Sequence, residues 1–270
     1  MRLLTYNIRE SGIGRAAQIA EVIEAARPDV VALQEARDPA VIEHIARLTE
    51  FPYCGARVGH STGYLSRVPV VEHAWRHPPK TRHALLEVRL ADGFPRVFVL
   101  HLRAWFSKWS EQRRARELRG LLAGIQAQLV REKHAFAFHV LAGDFNALAP
   151  GERFDASPMP AWIRGMIWLS GRNIARTTIE MMRADGYVDA WRVVHPNSER
   201  EPGYTFPVWN PHVRLDYVFA PAAYSSRIVD CEVRTMPSDA ARSASDHYPL
   251  CVEFQLNEAS PLSSIEVKDS

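Results

Sequence analysis

The first 34 residues constrain the fold more than any other stretch. Residues 2–8 (RLLTYNI) make an apolar run of strand length, and 29–34 (DVVALQ) make another. Between them, residues 15–26 put Ile19, Val22, Ile23 and Ala26 on one face at helical spacing. Arg27-Pro28 ends that helix, because proline disfavours helical geometry in the residue before it. A second helix is predicted from about Pro39 to Leu48, with Asp38 as its N-cap. A β-α-β-α unit of this kind favours strands in one sheet covered by helices.

The middle of the chain changes character. Short β segments are predicted around 62–66, 69–76, 82–90 and 95–102, separated by the turn signals Val68-Pro69, Pro78-Pro79 and Asp92-Gly93. Asp92-Gly93, lying between HALLEVRL and PRVFVLHL, marks a hairpin. A long helix follows over roughly 108–132, its buried stripe formed by Leu118, Leu121, Leu122, Ile125 and Leu129. Arg113, Arg114, Arg116 and Arg119 fall on its other face and read as a solvated surface. Beyond it come a strand at 138–143, a helix near 176–184, and strands at 213–219, near 228–235 and at 249–255. No repeat or Gly/Ser linker divides the chain, so 1–256 reads as one domain followed by a frayed polar tail, 257–270. Residues 150–175 form an apolar insert too long for an ordinary strand-to-helix connection.

Composition removes several classes of function. The balance of 33 basic against 31 acidic residues excludes a polybasic arm and an acidic tail. Three cysteines, Cys54, Cys231 and Cys251, with no C-x-x-C pair, argue against a disulfide framework or a thiolate zinc site. Arg9 and Glu10 interrupt the start before a signal-peptide core forms. No apolar stretch approaches the roughly 20 residues that span a bilayer. A soluble, cytoplasmic setting is expected, with no obligate protein partner evident.

Polar residues recur where apolar strands end. Asn7 closes the first strand, Glu35 the second, His101 the VFVLHL strand, and Asp144 with Asn146 the HVLAGDFN strand. Asp216 lies in RLDYVF, and Asp246-His247 precedes YPLCVEF. On an extended chain Asp144 and Asn146, two apart, point the same way. Singly, each has a plainer reading. A carboxylate after a strand is ordinarily a cap or turn former, Asn7 a turn residue, His101 a hydrogen-bonded core histidine, and Asp216 a partner of Arg214. Their joint occurrence is what points to a site, since ligands gather at strand ends in helix-flanked sheets.

In order along the chain, QEA at 34–36, GDFN at 143–146, RLDYVF at 214–219 and SDHYPL at 245–250 resemble the signature of the endonuclease/exonuclease/phosphatase superfamily. STGYLSRVPV at 61–70 and GYTFP at 203–207 resemble two further stretches of it. The resemblance runs from Asn7 to about Phe254. It implies a DNase I-like α/β fold: a four-layer α-β-β-α sandwich of two mixed β-sheets flanked by helices. It also implies metal-dependent hydrolysis of a phosphoester by direct water attack. Glu35, Asn7 and Asp246 would hold Mg²⁺ or Mn²⁺, hard ions that prefer oxygen ligands. Asp144 would activate the water, with Asn146 holding it or a phosphate oxygen. His247, kept protonated by Asp216, would stabilise the phosphate. His101 matches the position where DNase I-like members carry a second phosphate-facing His and apurinic endonucleases carry Tyr, which implies phosphate binding or, as the alternative, acid catalysis.

Arg103 and Trp105, just past His101, are candidates for substrate contact, together with Asn146 and His101. Trp162, Met166, Ile167 and Trp168 in the insert either pack onto the core or form an apolar rim. The reading favoured is a nuclease acting on a nucleic-acid phosphodiester. The alternative is a small-molecule or lipid phosphatase or phosphodiesterase, similar to inositol phosphatases or sphingomyelinases. A non-catalytic binding module stands last, because no water-activating or phosphate-facing position is lost.

Overall fold

A computed structural model describes residues 1–256 except 80, 82, 105–106, 133–137, 153, 160, 170–174 and 198–199. The expected tail 257–270 and Trp105 therefore lie outside the described residues. The first half contains β1 (Arg2–Asn7), α1 (Ala16–Ala26), β2 (Val30–Gln34), α2 (Pro39–Leu48), β3 (Tyr53–Gly55), β4 (Thr62–Ser66), β5 (Val70–Arg76), β6 (Leu85–Leu90) and β7 (Arg96–His101). The second half contains α3 (Lys108–Arg131), β8 (His139–Asp144), α4 (Ala161–Leu169), α5 (Thr177–Ala184), β9 (Tyr187–Asp189), α6 (Ala190–Val194), β10 (Asp216–Pro221), β11 (Ile228–Val233) and β12 (Leu250–Phe254). The Asp38 carboxylate accepts from the Ala40 N–H and caps α2. β6 and β7 pair antiparallel across Asp92-Gly93, as the hairpin signal predicts.

The strands form two six-stranded sheets, in the orders β11-β12-β1-β2-β4-β3 and β5-β6-β7-β8-β10-β9. Each is mixed: β1–β2 and β7–β8 run parallel, and their remaining neighbours antiparallel. Alternation along each strand explains the layering. Leu3, Val30 and Ala32 of one sheet meet Val97, Val99, Val140 and Val218 of the other in a shared core. One residue on, Leu4, Val31 and Leu33 face outward onto Ile19, Ile23, Ile42 and Ile45 of α1 and α2. Phe98, Leu100, Leu141 and Phe219 do the same beneath Leu118, Leu121, Leu122, Ile125 and Leu129 of α3, with Ile179 of α5. Four layers result, α-β-β-α.

Three expectations need correction. Arg114 is not on the solvated face of α3: it is buried, donating from Nε and Nη2 to Glu111 and from Nη1 to the Arg103 carbonyl. The 213–219 strand begins only at Asp216, because Val213 bridges Phe206 and Arg214 turns inward. Trp162 and Trp168 do not pack onto the core; both are exposed. The side chains of Met166 and Ile167 lie outside the described residues.

The early part of the insert is held by charge. Buried Arg214 bonds the Asp189 carboxylate with two nitrogens, at 3.0 and 2.6 Å, and also grips Glu152, which in turn accepts from Arg192 at 2.8 Å. Arg214→Leu leaves buried Asp189 without a guanidinium and Glu152 with Arg192 alone. The expected cost is about 3–5 kcal/mol of stability, read as a fall in the urea midpoint at pH 7; an unchanged midpoint would show the network to be dispensable.

Candidate active site

The topology brings the polar residues together. β1 and β2 run parallel and stop side by side, Asn7 opposite Gln34, so Asn7 and Glu35 emerge at one sheet end. β7 and β8 do the same in the other sheet, with His101 opposite Asp144. β10 runs antiparallel to β8 and starts where β8 stops, setting Asp216 opposite Asp144. β12 likewise starts beside the end of β1, Leu250 opposite Thr5, so Asp246 and His247 just before it reach the same end. Two local features sharpen the placement. Glu35 adopts φ 60°, turning the chain abruptly off β2. At Gly143 a Cβ would lie 1.9 Å from the Leu100 carbonyl oxygen, so only glycine lets β7 and β8 close up beside Asp144.

Asp144 is the hub. Its Oδ1 accepts the Asn146 backbone N–H at 2.9 Å. Its Oδ2 accepts from Asn7 Nδ2 at 3.1 Å and lies 3.8 Å from His101 Nε2 and 4.0 Å from His247 Nε2. The Asn7 amide also reaches Glu35 Oε1, at 3.4 Å, while Glu35 Oε2 accepts the Glu10 N–H at 2.6 Å. His247 Nδ1 donates to Asp216 Oδ2 at 2.8 Å. Asp246 lies 3.9 Å from Arg9 Nε and 3.4 Å from Ser245 Oγ, whose hydroxyl bonds the Asn7 carbonyl.

Burial and neighbours tune these groups. Burial pushes the Asp144 carboxyl up to about 7, with Asp216 adding to the push and His247 opposing it. Burial disfavours the His247 imidazolium, but the Asp216 and Asp144 carboxylates overrule it and raise that group to about 10. His101 is pushed down to about 4, chiefly by burial. For Glu35 burial acts upward, yet the Glu10 N–H and the Asn7 amide contribute to holding the carboxyl below its usual range. At neutral pH the set is a charged histidine, a neutral one, an ionised Glu35 and an Asp144 poised to exchange a proton.

Asn146 departs from the sequence expectation. The strand stops at Asp144, Asn146 takes φ 49°, and its Nδ2 donates to the Leu102 carbonyl at 3.0 Å. The two side chains therefore do not point the same way, and Asn146 reaches Asp144 through its backbone instead. His101, for which the sequence offers no carboxylate partner, finds Asp144 and Glu35 beside it. Asp216 does not pair with Arg214. Arg103 lines a hollow of about 370 Å³ with Glu35, Arg37, His83, His101, Leu102 and Ala104. A larger hollow of about 670 Å³ lies at the opposite end of β8, beside His139, Tyr187 and Tyr224, away from these carboxylates.

Two features escaped sequence reasoning. Trp209 is exposed next to Phe206, whose ring packs 4.9 Å from that of His247. His60, from the connection before β4, and His77 and His83, both from the connection between β5 and β6, gather near His101 with no motif to announce them.

The donor chemistry fits a hard divalent cation. Glu35, Asn7 and Asp246 offer oxygen, and the Asn7 amide links the Glu35 and Asp144 carboxylates. Among the described residues, Asp144, Asp216 and His247 also have ligand atoms within 4.8 Å of one another. His247 already bonds Asp216 through Nδ1, and the proton affinity that its two carboxylate neighbours give it competes with metal at this second cluster.

Similar folds occur among solved structures. An AP endonuclease from Archaeoglobus fulgidus has 20% identity and a TM-score of 0.68, over 94% of this chain and 99% of that one. A 3′-5′ exonuclease, NExo, from Neisseria meningitidis has 18% identity and a TM-score of 0.65, over 94% and 100%. D. rerio TDP2, complexed with single-strand DNA product, has 21% identity and a TM-score of 0.61, over 94% and 98%. These likenesses establish the fold. No curated protein matches the sequence. The family model described as endonuclease/exonuclease/phosphatase matches residues 4–247, a span that holds every side chain of the cluster. The chain belongs to the endonuclease/exonuclease/phosphatase family of hydrolytic phosphoesterases.

Proposed function

We propose that the protein is a nuclease, hydrolysing a nucleic-acid phosphodiester by direct attack of water. The observation that carries this reading is the convergence of Asn7, His101 and His247 on one carboxylate oxygen of Asp144. A carboxyl near pH 7 is matched to general-base work. Asp144 takes a proton from the water as its oxygen bonds phosphorus and one ester P–O bond breaks; the departing oxygen gains a proton from solvent. Asn146 is a positioning residue, holding Asp144 through its backbone N–H. His247, fixed by Asp216, donates to a non-bridging phosphate oxygen and stabilises the added negative charge. His101, neutral at this pH, offers an N–H to the phosphate. Family enzymes use divalent metals. Here Glu35, Asn7 and Asp246 would hold Mg²⁺ or Mn²⁺, which supplies neutralisation of the phosphate charge when bound.

Two observations favour a polymer over a compact substrate. The described part of the 150–175 insert contributes no residue to the hollow beside Glu35, which arginine and histidine line instead. DNA product is also what two proteins of like fold were seen with, the 3′ phosphatase NExo from Neisseria and D. rerio TDP2. The test is a panel of single- and double-stranded DNA, RNA, bis-p-nitrophenyl phosphate, p-nitrophenyl phosphate, inositol phosphates and sphingomyelin, with Asp144→Ala as control. DNA or RNA is expected to be cut with Mg²⁺ or Mn²⁺ and spared in EDTA. Turnover confined to inositol phosphates or sphingomyelin would move the protein to the alternative class, and cutting undiminished by chelation would remove the metal.

A further inference from the structure

The hollow that contains Glu35 and His101 continues away from them. It shares Arg37, His83 and His101 with a second hollow of about 280 Å³, where His60 and His77 also lie. No carboxylate lines that second hollow among the described residues. Glu117, the acid behind it, is engaged by His83, accepting from its backbone N–H at 2.7 Å and from Nδ1 at 3.0 Å. The His83 ring lies nearly parallel to that of His101, with centroids 6.4 Å apart and planes 17° apart. His60 and His77 meet through their Nε2 atoms at 3.2 Å, so one donates to the other, and His60 Nδ1 faces the Val58 carbonyl at 3.3 Å. These contacts, with the His60 ring edge-on to Trp75 at 5.9 Å, hold half-buried His60 and His83 and exposed His77 around the hollow. A wall of guanidinium and imidazole N–H groups without a carboxylate suits an anion, and the adjoining site handles phosphate.

We infer that the hollow between Arg37, His60, His77 and His83 seats a second, non-scissile phosphate, so that the substrate is a strand with at least two phosphates in succession. The inference rests on the phosphodiester reading above and adds where the strand runs. Contacts to non-scissile phosphates fix register without reading sequence. Binding energy from such a remote group serves to orient the reacting centre, and so appears in kcat/KM.

The experiment compares the dinucleotide TpT, which has one phosphate, with TpT carrying an added 5′- or 3′-terminal phosphate. Wild type, Arg37→Ala, His77→Ala and the double variant His60→Ala/His77→Ala are each assayed with Mn²⁺. Within each protein the readout is the ratio of kcat/KM with and without the added phosphate, so a general loss of rate cancels. Wild type should show a ratio of roughly tenfold or more at one of the two ends, and the variants should bring it toward one. Cleavage by wild type with a ratio near one at both ends, or a ratio that survives in the double variant, overturns the seat while leaving the nuclease reading intact. Absence of turnover on these nucleotides by a protein that cuts the DNA or RNA of the panel overturns the two-phosphate strand as a sufficient substrate, and absence of turnover on the panel as well overturns both.

Discussion

Asp144→Asn is expected to lower kcat by about 10³-fold while removing a pH dependence from stability. The amide cannot accept the water's proton, yet it keeps the size of the carboxylate at a fully buried position. It offers one acceptor where Asp144 offers two, so either the Asn146 N–H or the Asn7 amide loses its partner. Against that loss stands relief from burying a charge. The sign of the pH effect follows from linkage. Asp144 titrates at about 7 in the folded protein and near 3.9 when unfolded. Its contribution is therefore present below about pH 4 and lost as pH rises through 7. Wild type in EDTA should lose stability over that window by this route, and Asp144→Asn should not. Urea midpoints at pH 5 and pH 8 measure the difference; parallel shifts in the two proteins would mean that Asp144 titrates normally, and near-normal turnover would remove it from the base role.

Asp216→Asn carries the second large effect, through His247. The imidazole is raised to about 10 because two carboxylates outweigh its burial, and Asp216 is the one bonded to it. Without that charge, burial prevails, and His247 should titrate at its ordinary value of about 6.5 or below. At pH 8 the wild-type ring carries a proton and the variant's does not, so turnover should fall about 10²-fold. Acidification cannot fully rescue it, because Asp144 takes up its own proton below about pH 7. In stability, the raised histidine contributes fully below about pH 6.5, and that contribution is lost as pH rises through 10. The imidazole NMR resonances of the metal-free proteins report the titration directly. A His247 that titrates alike in both would show that Asp216 does not hold the proton.

Much of this was legible in the residues, for physical reasons that differ by element. α2 was readable to its ends because Asp38-Pro39 is both a cap and a helix start. The strand alternation in RLLTYN and DVVALQ announces two buried faces, and the layers follow from it. The cluster was readable because each member closes or opens a strand, and the mixed topology puts those ends in one place. What failed depended on contacts made across the chain. Arg114 looks solvated by spacing until Glu111 and the Arg103 carbonyl enclose it. The Asp144–Asn146 alternation presumes an extended chain, which ends at Asp144. His60, His77 and His83 converge from loops whose course no periodicity encodes.

The central claim is that a divalent cation sits against Glu35 beside the Asp144–His247 cluster. Anomalous diffraction from crystals grown with Mn²⁺ tests it most directly. The account predicts an ion bonded to the Glu35 carboxylate, with Asn7 and Asp246 turned toward it and His247 still bound to Asp216. Manganese held by Asp144, Asp216 and His247 instead, or no manganese near Glu35 at all, would contradict it.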